Sequence, residues 1–150
     1  MAQRTLIIIK PDGVQRGLVG EILGRFEQRG LKLVGLKLMS VTRSLAETHY
    51  AVHRDKPFFA DLIEFITAAP VVCAVIEGPE AIAIVRNLVG ATRFTEAEPG
   101  SIRGDYALDL TMNLIHASDA PDTAEKEVEL FFRPEELIDY ARDGDRWVTG

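Results

Sequence analysis

Cys73 is the only cysteine among 150 residues, so the chain can form no internal disulfide. It sits in Val-Val-Cys-Ala-Val, an apolar setting that predicts a buried, inert thiol. No apolar run approaches the roughly 20 residues that span a bilayer. The four consecutive aliphatics at 6–9 are too few for a signal-peptide core, and a cytoplasmic protein is expected. A basic excess is also missing. The net charge of −6 argues against nonspecific binding to nucleic acid or to an anionic membrane. It leaves room for a local basic cleft. There is no Gly-x-x-x-x-Gly-Lys-Ser/Thr loop and no Gly-x-Gly-x-x-Gly fingerprint, so any nucleotide must be held in another way. No cysteine–histidine cluster has zinc spacing. Repeats, low-complexity tracts and linkers are absent, so residues 1–150 read as a single domain, long enough to bury one core.

What is present is a regular succession of elements. Arg-Thr-Leu-Ile-Ile-Ile-Lys (4–10) reads as a buried strand stopped by Pro-Asp-Gly. Leu18, Ile22 and Phe26 recur at helical spacing up to Gly30. Residues 31–39 read as a second strand. Ser-Leu-Ala-Glu (44–47) has the capping-box pattern of a short helix. Pro57 predicts another helix, with Phe58, Leu62, Phe65 and Ile66 on one face. Residues 70–78 form a third apolar strand, and Pro79 opens a helix that ends at Gly90. Residues 91–116 show no period, and a loop of that length in a compact domain is usually functional. Pro121 opens a helix, Val-Glu-Leu-Phe-Phe (128–132) reads as a last strand, and Pro134 opens a last short helix. This order is close to βαββαβ. It points to an α/β (α+β) sandwich of ferredoxin-like type, a four-stranded antiparallel sheet with helices on one face.

Several residues stand out chemically. Lys10 closes the first strand. Arg86 falls late in a helix, where it could serve only the helix C-terminus. Arg103 is bracketed by Gly100 and Gly104 in the long loop. His49 and His53 flank a helix end and read as surface or capping residues. His116, in Asn-Leu-Ile-His-Ala-Ser-Asp (113–119), follows the long loop, and Glu127 lies eleven residues later on a helix that could fold back to it. A carboxylate on one ring nitrogen would leave the other free to attack. Spacing alone favours a structural histidine.

Taken together, these motifs resemble the nucleoside diphosphate kinase family. The resemblance is carried by Ile-Ile-Ile-Lys-Pro-Asp-Gly-Val-Gln-Arg-Gly (7–17), Pro-Gly-Ser-Ile-Arg-Gly-Asp-Tyr (99–106) and 113–119. It continues through His49-Tyr50, Pro57-Phe58-Phe59, 124–127 and 131–137. It implies transfer of the γ-phosphoryl of a nucleoside triphosphate to a nucleoside diphosphate, by ping-pong through a phosphohistidine on His116. It further implies that Glu127 holds the far ring nitrogen and that Ser118 supports Glu127. Arg86, Thr92 and Arg103 are the implied phosphate ligands. Lys10 and Asn113 are the implied sugar ligands, with Tyr50 beside them. Phe58 stacks on the base opposite Leu110, and Leu62 adds apolar contact. Mg²⁺ is the implied cofactor, carried by phosphate oxygens, with Asp119 as an outer-sphere contact or simply a turn residue. A homohexamer built from dimers is expected, with a homotetramer as the alternative, and Trp147 in the tail is a candidate interface residue.

The chain departs from the family pattern at Arg93-Phe94, where Asn-Pro is common, and at Ala117, where glycine is frequent. A nucleotide-binding relative without catalysis would be expected to lack His116, Lys10 or the arginines, and all are present. An RNA-binding sheet would show strand aromatics with basic neighbours. The strands read at 4–10, 31–39 and 70–78 contain no aromatic residue.

Overall fold

Leu6, Ile7, Ile8 and Ile9 are all fully buried. Neighbouring residues of a strand point to opposite faces, so four consecutive aliphatics can be buried only where helices cover both sides of a sheet. The structure, a computed structural model describing residues 2–150, has that arrangement. Its elements are β1 (Ala2–Ile9), α1 (Pro11–Gln15), α2 (Val19–Arg29), β2 (Lys32–Met39), α3 (Arg43–His49) and α4 (Phe59–Thr67). They continue with β3 (Val71–Pro79), α5 (Ala81–Val89), α6 (Ile102–Tyr106), β4 (Ile115–Ala117) and α7 (Pro121–Phe131). Short 3₁₀ turns lie at Ala51–His53, Pro134–Glu136 and Asp145–Trp147.

The sheet order is β2-β3-β1-β4, with every neighbouring pair antiparallel. This is the ferredoxin-like order. Ile7 and Ile9 pack with Ile22 and Phe26 of α2 and with Ala81, Val85 and Val89 of α5. Leu6 and Ile8 pack on the opposite face with Ala46 of α3, Ile63 and Ile66 of α4, and Val128 and Phe131 of α7. The expectation of helices on one face is therefore corrected: α3, α4 and α7 cover the second. Cys73, on β3, is buried, and burial pushes its thiol up to about 12.

Other departures have local causes. Residues 128–131 continue α7 rather than forming a strand, because Val128 and Phe131 are three residues apart and share one buried helical face. The fourth strand is β4, which begins inside the stretch read as a loop and ends one residue beyond it. It has three residues and follows a tight turn, so it carries too few positions to show a period. Within the same stretch α6 is capped by Ser101, whose hydroxyl accepts from Gly104 N–H at 3.0 Å. Helix α3 is capped by Thr42, not by Ser44. Helix α4 begins after Phe58, which is its cap and is 46% exposed. Pro79 ends β3, and Glu80 turns the chain into α5 with φ of 51°.

Gly104 matters because a side chain there would run into the backbone carbonyl of Glu98 and the Ser101 hydroxyl. Gly104→Ala should therefore cost about 1–3 kcal/mol, the scale of an overpacked site. Urea unfolding of the variant beside the parent checks this, and an unchanged midpoint would show that the α6 turn relaxes freely.

Candidate active site

Register decides where His116 points. Its Cα pairs with Ile8 on β1, so its side chain lies on the α3–α4–α7 face, while Ile115 and Ala117 turn into the opposite core. On that face it meets Glu127 from α7. His116 Nε2 donates to Glu127 Oε1 at 2.9 Å, and the Ser118 hydroxyl donates to the same oxygen at 2.6 Å. Burial alone would raise the Glu127 carboxyl. The hydrogen bonds from His116 and Ser118 outweigh it and hold the group below its ordinary value. A neutral His116 held this way carries its proton on Nε2 and leaves the Nδ1 lone pair bare.

The approach to His116 is a constrained turn. Leu114 has φ of 77°, and Ile115 N–H donates back to Asn113 C=O at 3.0 Å across it. This is a γ-turn in a sparsely populated region, a conformation costing on the order of 1–3 kcal/mol. Three groups hold it. Lys10 N–H donates to Leu114 C=O at 2.8 Å, and Leu114 N–H donates to Asp12 Oδ2 at 3.0 Å. Buried Arg103 donates from Nε to Asn113 C=O at 3.2 Å and from Nη2 to Ile115 C=O at 2.5 Å. Asp12, which the sequence suggests only as a turn residue, thus braces the segment that presents the histidine. Its Asp-Gly context hides this role, which depends on a partner 102 residues away.

Lys10 is not a solvated strand end. It is 7% exposed, and its Nζ donates to Asn113 Oδ1 at 2.8 Å. Burial first, and then the neighbouring Arg103, push its ammonium down to about 8. Burial first, and then Arg86, push the Arg103 guanidinium down to about 10. Arg86 does not serve its helix end but donates from Nη1 to Ala117 C=O at 3.0 Å, one residue beyond His116. Among the described residues, none of these three cations has a carboxylate within ion-pair distance. Burying unpaired charge is costly, so buried Lys10 and Arg103 with part-buried Arg86 beside them mark a place for an anion.

The cleft around them has a volume of about 720 Å³. Lys10, Tyr50, Phe58, Leu62, Arg86, Thr92, Arg103, Leu110, Asn113, His116, Asp119 and Glu127 all line it. Ser118 lies behind Glu127 and is fully buried. Phe58 and Leu110 are about half exposed at its rim. Tyr50 is buried, and burial raises its phenol to about 12. The cleft also takes in Val52, His53 and His49. His49 corrects the expectation of a surface or capping residue. Its side chain is 2% exposed, and neither ring nitrogen has a hydrogen-bond partner. Burial, followed by the field of His116, holds its imidazole down at about 3. A second groove, of about 500 Å³, lies between Gln3, Ile82, Pro121, Val128 and Phe132 and contains no histidine.

Both family departures are absorbed. Phe94 packs against the α2–α5 core, and Ala117 has no positive φ, so it needs no glycine. Among the described residues no group of three carboxylates that could cage Mg²⁺ lies in the cleft. Among the described residues the only three-ligand group is His49, His116 and Glu127, which offers two nitrogens. A cation carried by polyphosphate oxygens and water needs no such cage, and exposed Asp119 at the rim fits an outer-sphere contact.

A family model described as nucleoside diphosphate kinase matches residues 3–137. The chain is 60% identical over 148 residues to a nucleoside diphosphate kinase of Thermomicrobium roseum, covering 99% of each. It is 52% identical over 146 residues to that of Archaeoglobus fulgidus, covering 97% of each. The structure of a halophilic nucleoside diphosphate kinase from Halobacterium salinarum in complex with CDP superposes with a TM-score of 0.97 at 51% identity, over 100% of both chains.

The arrangement fixes one checkable property of the free enzyme. In ¹⁵N-histidine spectra, neutral His116 should be protonated at Nε2 and bare at Nδ1. Glu127→Ala should shift it toward a mixture of tautomers, and an Nδ1–H form in the parent would refute the geometry.

Proposed function

Because this chain belongs to the nucleoside diphosphate kinase family, we propose that its cleft is the active site and that His116 carries the phosphoryl group between nucleotides. The family reaction moves the γ-phosphoryl of a nucleoside triphosphate onto a nucleoside diphosphate by ping-pong. The observation that carries the site assignment is the coincidence of a bare imidazole nitrogen with three unpaired cations, all lining one cleft.

In the proposed step the Nδ1 lone pair attacks the γ-phosphorus in line. The bond to the bridging oxygen breaks, and the nucleoside diphosphate leaves with that electron pair. Glu127 keeps hold of Nε2–H and so stabilises the positive phosphoimidazole, while Ser118 keeps Glu127 aimed. Arg86, Arg103 and Thr92 bind the phosphates. The arginine forks suit phosphate oxygens, and positioned charge supplies most of the catalysis in such transfers. Lys10 and Asn113 bind the sugar hydroxyls beside the transferred group, and Tyr50 packs behind them. Phe58 and Leu110 enclose the base, and Leu62 extends that surface. Stacking on Phe58 accepts any base, which suits broad specificity. The second half-reaction reverses the first with a new diphosphate as acceptor.

Mg²⁺ is the proposed cofactor. It would ride on the phosphate oxygens with Asp119 as an outer-sphere contact, and it would neutralise phosphate charge. The whole chain is proposed as a single catalytic domain. No helix among the described residues is long and apolar enough to cross a membrane, and a cytoplasmic site is proposed because its nucleotide substrates are pooled there. A homohexamer of dimers is the proposed assembly, with a homotetramer as the alternative. The exposed side chain of Trp147 and the exposed Leu36 and Leu38 on edge strand β2 support self-association.

The decisive test is phosphoenzyme formation. With Mg²⁺ and γ-labelled ATP but no acceptor, the parent should take up acid-labile, base-stable label that GDP discharges. His116→Ala should fold normally and take up none. Label persisting in that variant would remove His116 from the mechanism.

The depressed Lys10 ammonium sets a pH limit. It is charged below about 8 and loses its charge as pH rises through that value, so kcat/KM, which reports the free enzyme, should fall above about pH 8. In kcat the limb should lie higher, since bound polyphosphate favours the ammonium. Lys10→Arg should remove the limb from whatever activity remains, and an unchanged profile would assign it to another group.

A further inference from the structure

His49 is not used in the mechanism above, yet it is one of the least accessible polar side chains in the cleft. Its imidazole stands edge-on to His116, with ring centroids 4.6 Å apart at 88°, and edge-on to Phe131 at 5.2 Å. Its Nδ1 lies 3.7 Å from Glu127 Oε2, the carboxylate oxygen that neither His116 nor Ser118 uses. A buried imidazole with both nitrogens unpaired is uncommon, because each unmade hydrogen bond costs free energy. A ligand that takes its lone pair would remove part of that cost.

We propose that His49, His116 and Glu127 form a binding site for a nitrogen-preferring divalent cation of the zinc class, and that its occupation excludes phosphorylation of His116. One ligand atom from each residue can be chosen so that all three lie within 4.8 Å of one another. Ligand atoms about 2.0–2.2 Å from a tetrahedral cation lie about 3.3 Å apart. His116 Nε2 lies 2.9 Å from Glu127 Oε1 and His49 Nδ1 lies 3.7 Å from Oε2, so the two imidazoles approach the two oxygens of one carboxylate, and rotation of the rings and of the carboxylate would bring one atom of each residue onto a shared cation. Two imidazoles and a carboxylate are an open zinc donor set, with the fourth position left for water or substrate. Mg²⁺ prefers oxygen ligands and would be a poor occupant.

The exclusion follows from proton bookkeeping on one ring. A cation on His116 Nε2 displaces the hydrogen bond to Glu127, and the neutral ring then carries its single proton on Nδ1. That nitrogen has no lone pair left with which to attack phosphorus. Conversely, a ring phosphorylated at Nδ1 and protonated at Nε2 has no lone pair for a cation. No net proton is released, since the ring only exchanges tautomers through solvent. The exclusion half of the proposal rests on His116 as the phosphoryl carrier, but the binding half does not.

The test titrates Zn²⁺ against a chelating dye into nucleotide-free enzyme. The proteins compared are the parent, His49→Gln, His53→Ala and the phosphorylated parent freed of nucleotide. The parent should bind one Zn²⁺ per chain. His49→Gln and the phosphoenzyme should each bind at least about tenfold more weakly, the scale expected when a metal site loses a supporting group. His53→Ala should bind as the parent does. Label uptake from Mg²⁺ and γ-labelled ATP should fall in proportion to zinc occupancy. Absence of stoichiometric binding, or equal affinity in His49→Gln, would overturn the site. Equal affinity in the phosphoenzyme would overturn the exclusion. If His49→Gln does not fold, Co²⁺ on the parent decides: paramagnetically shifted ring protons from two histidines support the site, and their absence refutes it. Label on a residue other than His116, together with loss of zinc in His49→Gln, would leave the metal site standing and remove the carrier assignment.

Discussion

A single hydrogen bond, from His116 Nε2 to Glu127 Oε1, organises the chemistry of this cleft. It selects the tautomer, leaves the other nitrogen bare in the cleft shared with the cations, and sets a negative charge beside the ring that the proposed function phosphorylates. The bond is useful only if both partners are held still. Glu127 is held by Ser118 and by its place on α7, whose buried face is anchored by Val128 and Phe131. His116 is held by its pairing with Ile8 in the centre of the sheet.

The turn at Leu114 shows what that precision costs. The residue sits at positive φ without being glycine, and it is held there by Asp12, by the Lys10 amide and by Arg103. Arg103 therefore has two tasks. Two of its donors are spent on the carbonyls flanking Leu114 and a third on Gly90 C=O, and its charge adds to that of Arg86 and Lys10. With Arg103 as the proposed phosphate ligand, nucleotide binding and presentation of the histidine are coupled through one buried guanidinium. Substituting it would disturb both, even with another cation, because a lysine cannot reproduce the fork.

Much of this was legible in the sequence, and the gaps have physical reasons. The βαββαβ order, the strands of residues 4–10, 31–39 and 70–78, and the cluster of Lys10, Arg86, Arg103, Asn113, His116 and Glu127 could be read from pattern and resemblance. Strand β4 could not, because three residues after a γ-turn carry no period. Val128 and Phe131 misled because phenylalanine and valine favour strands when read singly, whereas here their spacing places them on one helical face. The second helical layer was missed although the run Leu6, Ile7, Ile8, Ile9 requires it. His49 was misread because a histidine at a helix end is usually solvated. Only the packing of α3 against α7 buries it, and no local pattern encodes that packing.

Strand β4 has three residues and lies at the edge of the sheet, a position where strands usually fray. Its partner, however, is β1, the central strand whose aliphatic side chains are shared by both cores. Opening β4 would expose Ile115 and Ala117 from one core and release Arg103 from the carbonyls it holds. The backbone of His116, the proposed nucleophile, therefore belongs to the cooperative unit of the fold rather than to its periphery. Its amide protons should exchange with solvent on the timescale of global opening. By contrast, Phe58 and Leu110 at the rim are about half exposed and lie outside both cores. On the proposed assignment of these residues, an exposed rim for the base stands over a phosphoryl-carrying floor that belongs to the core.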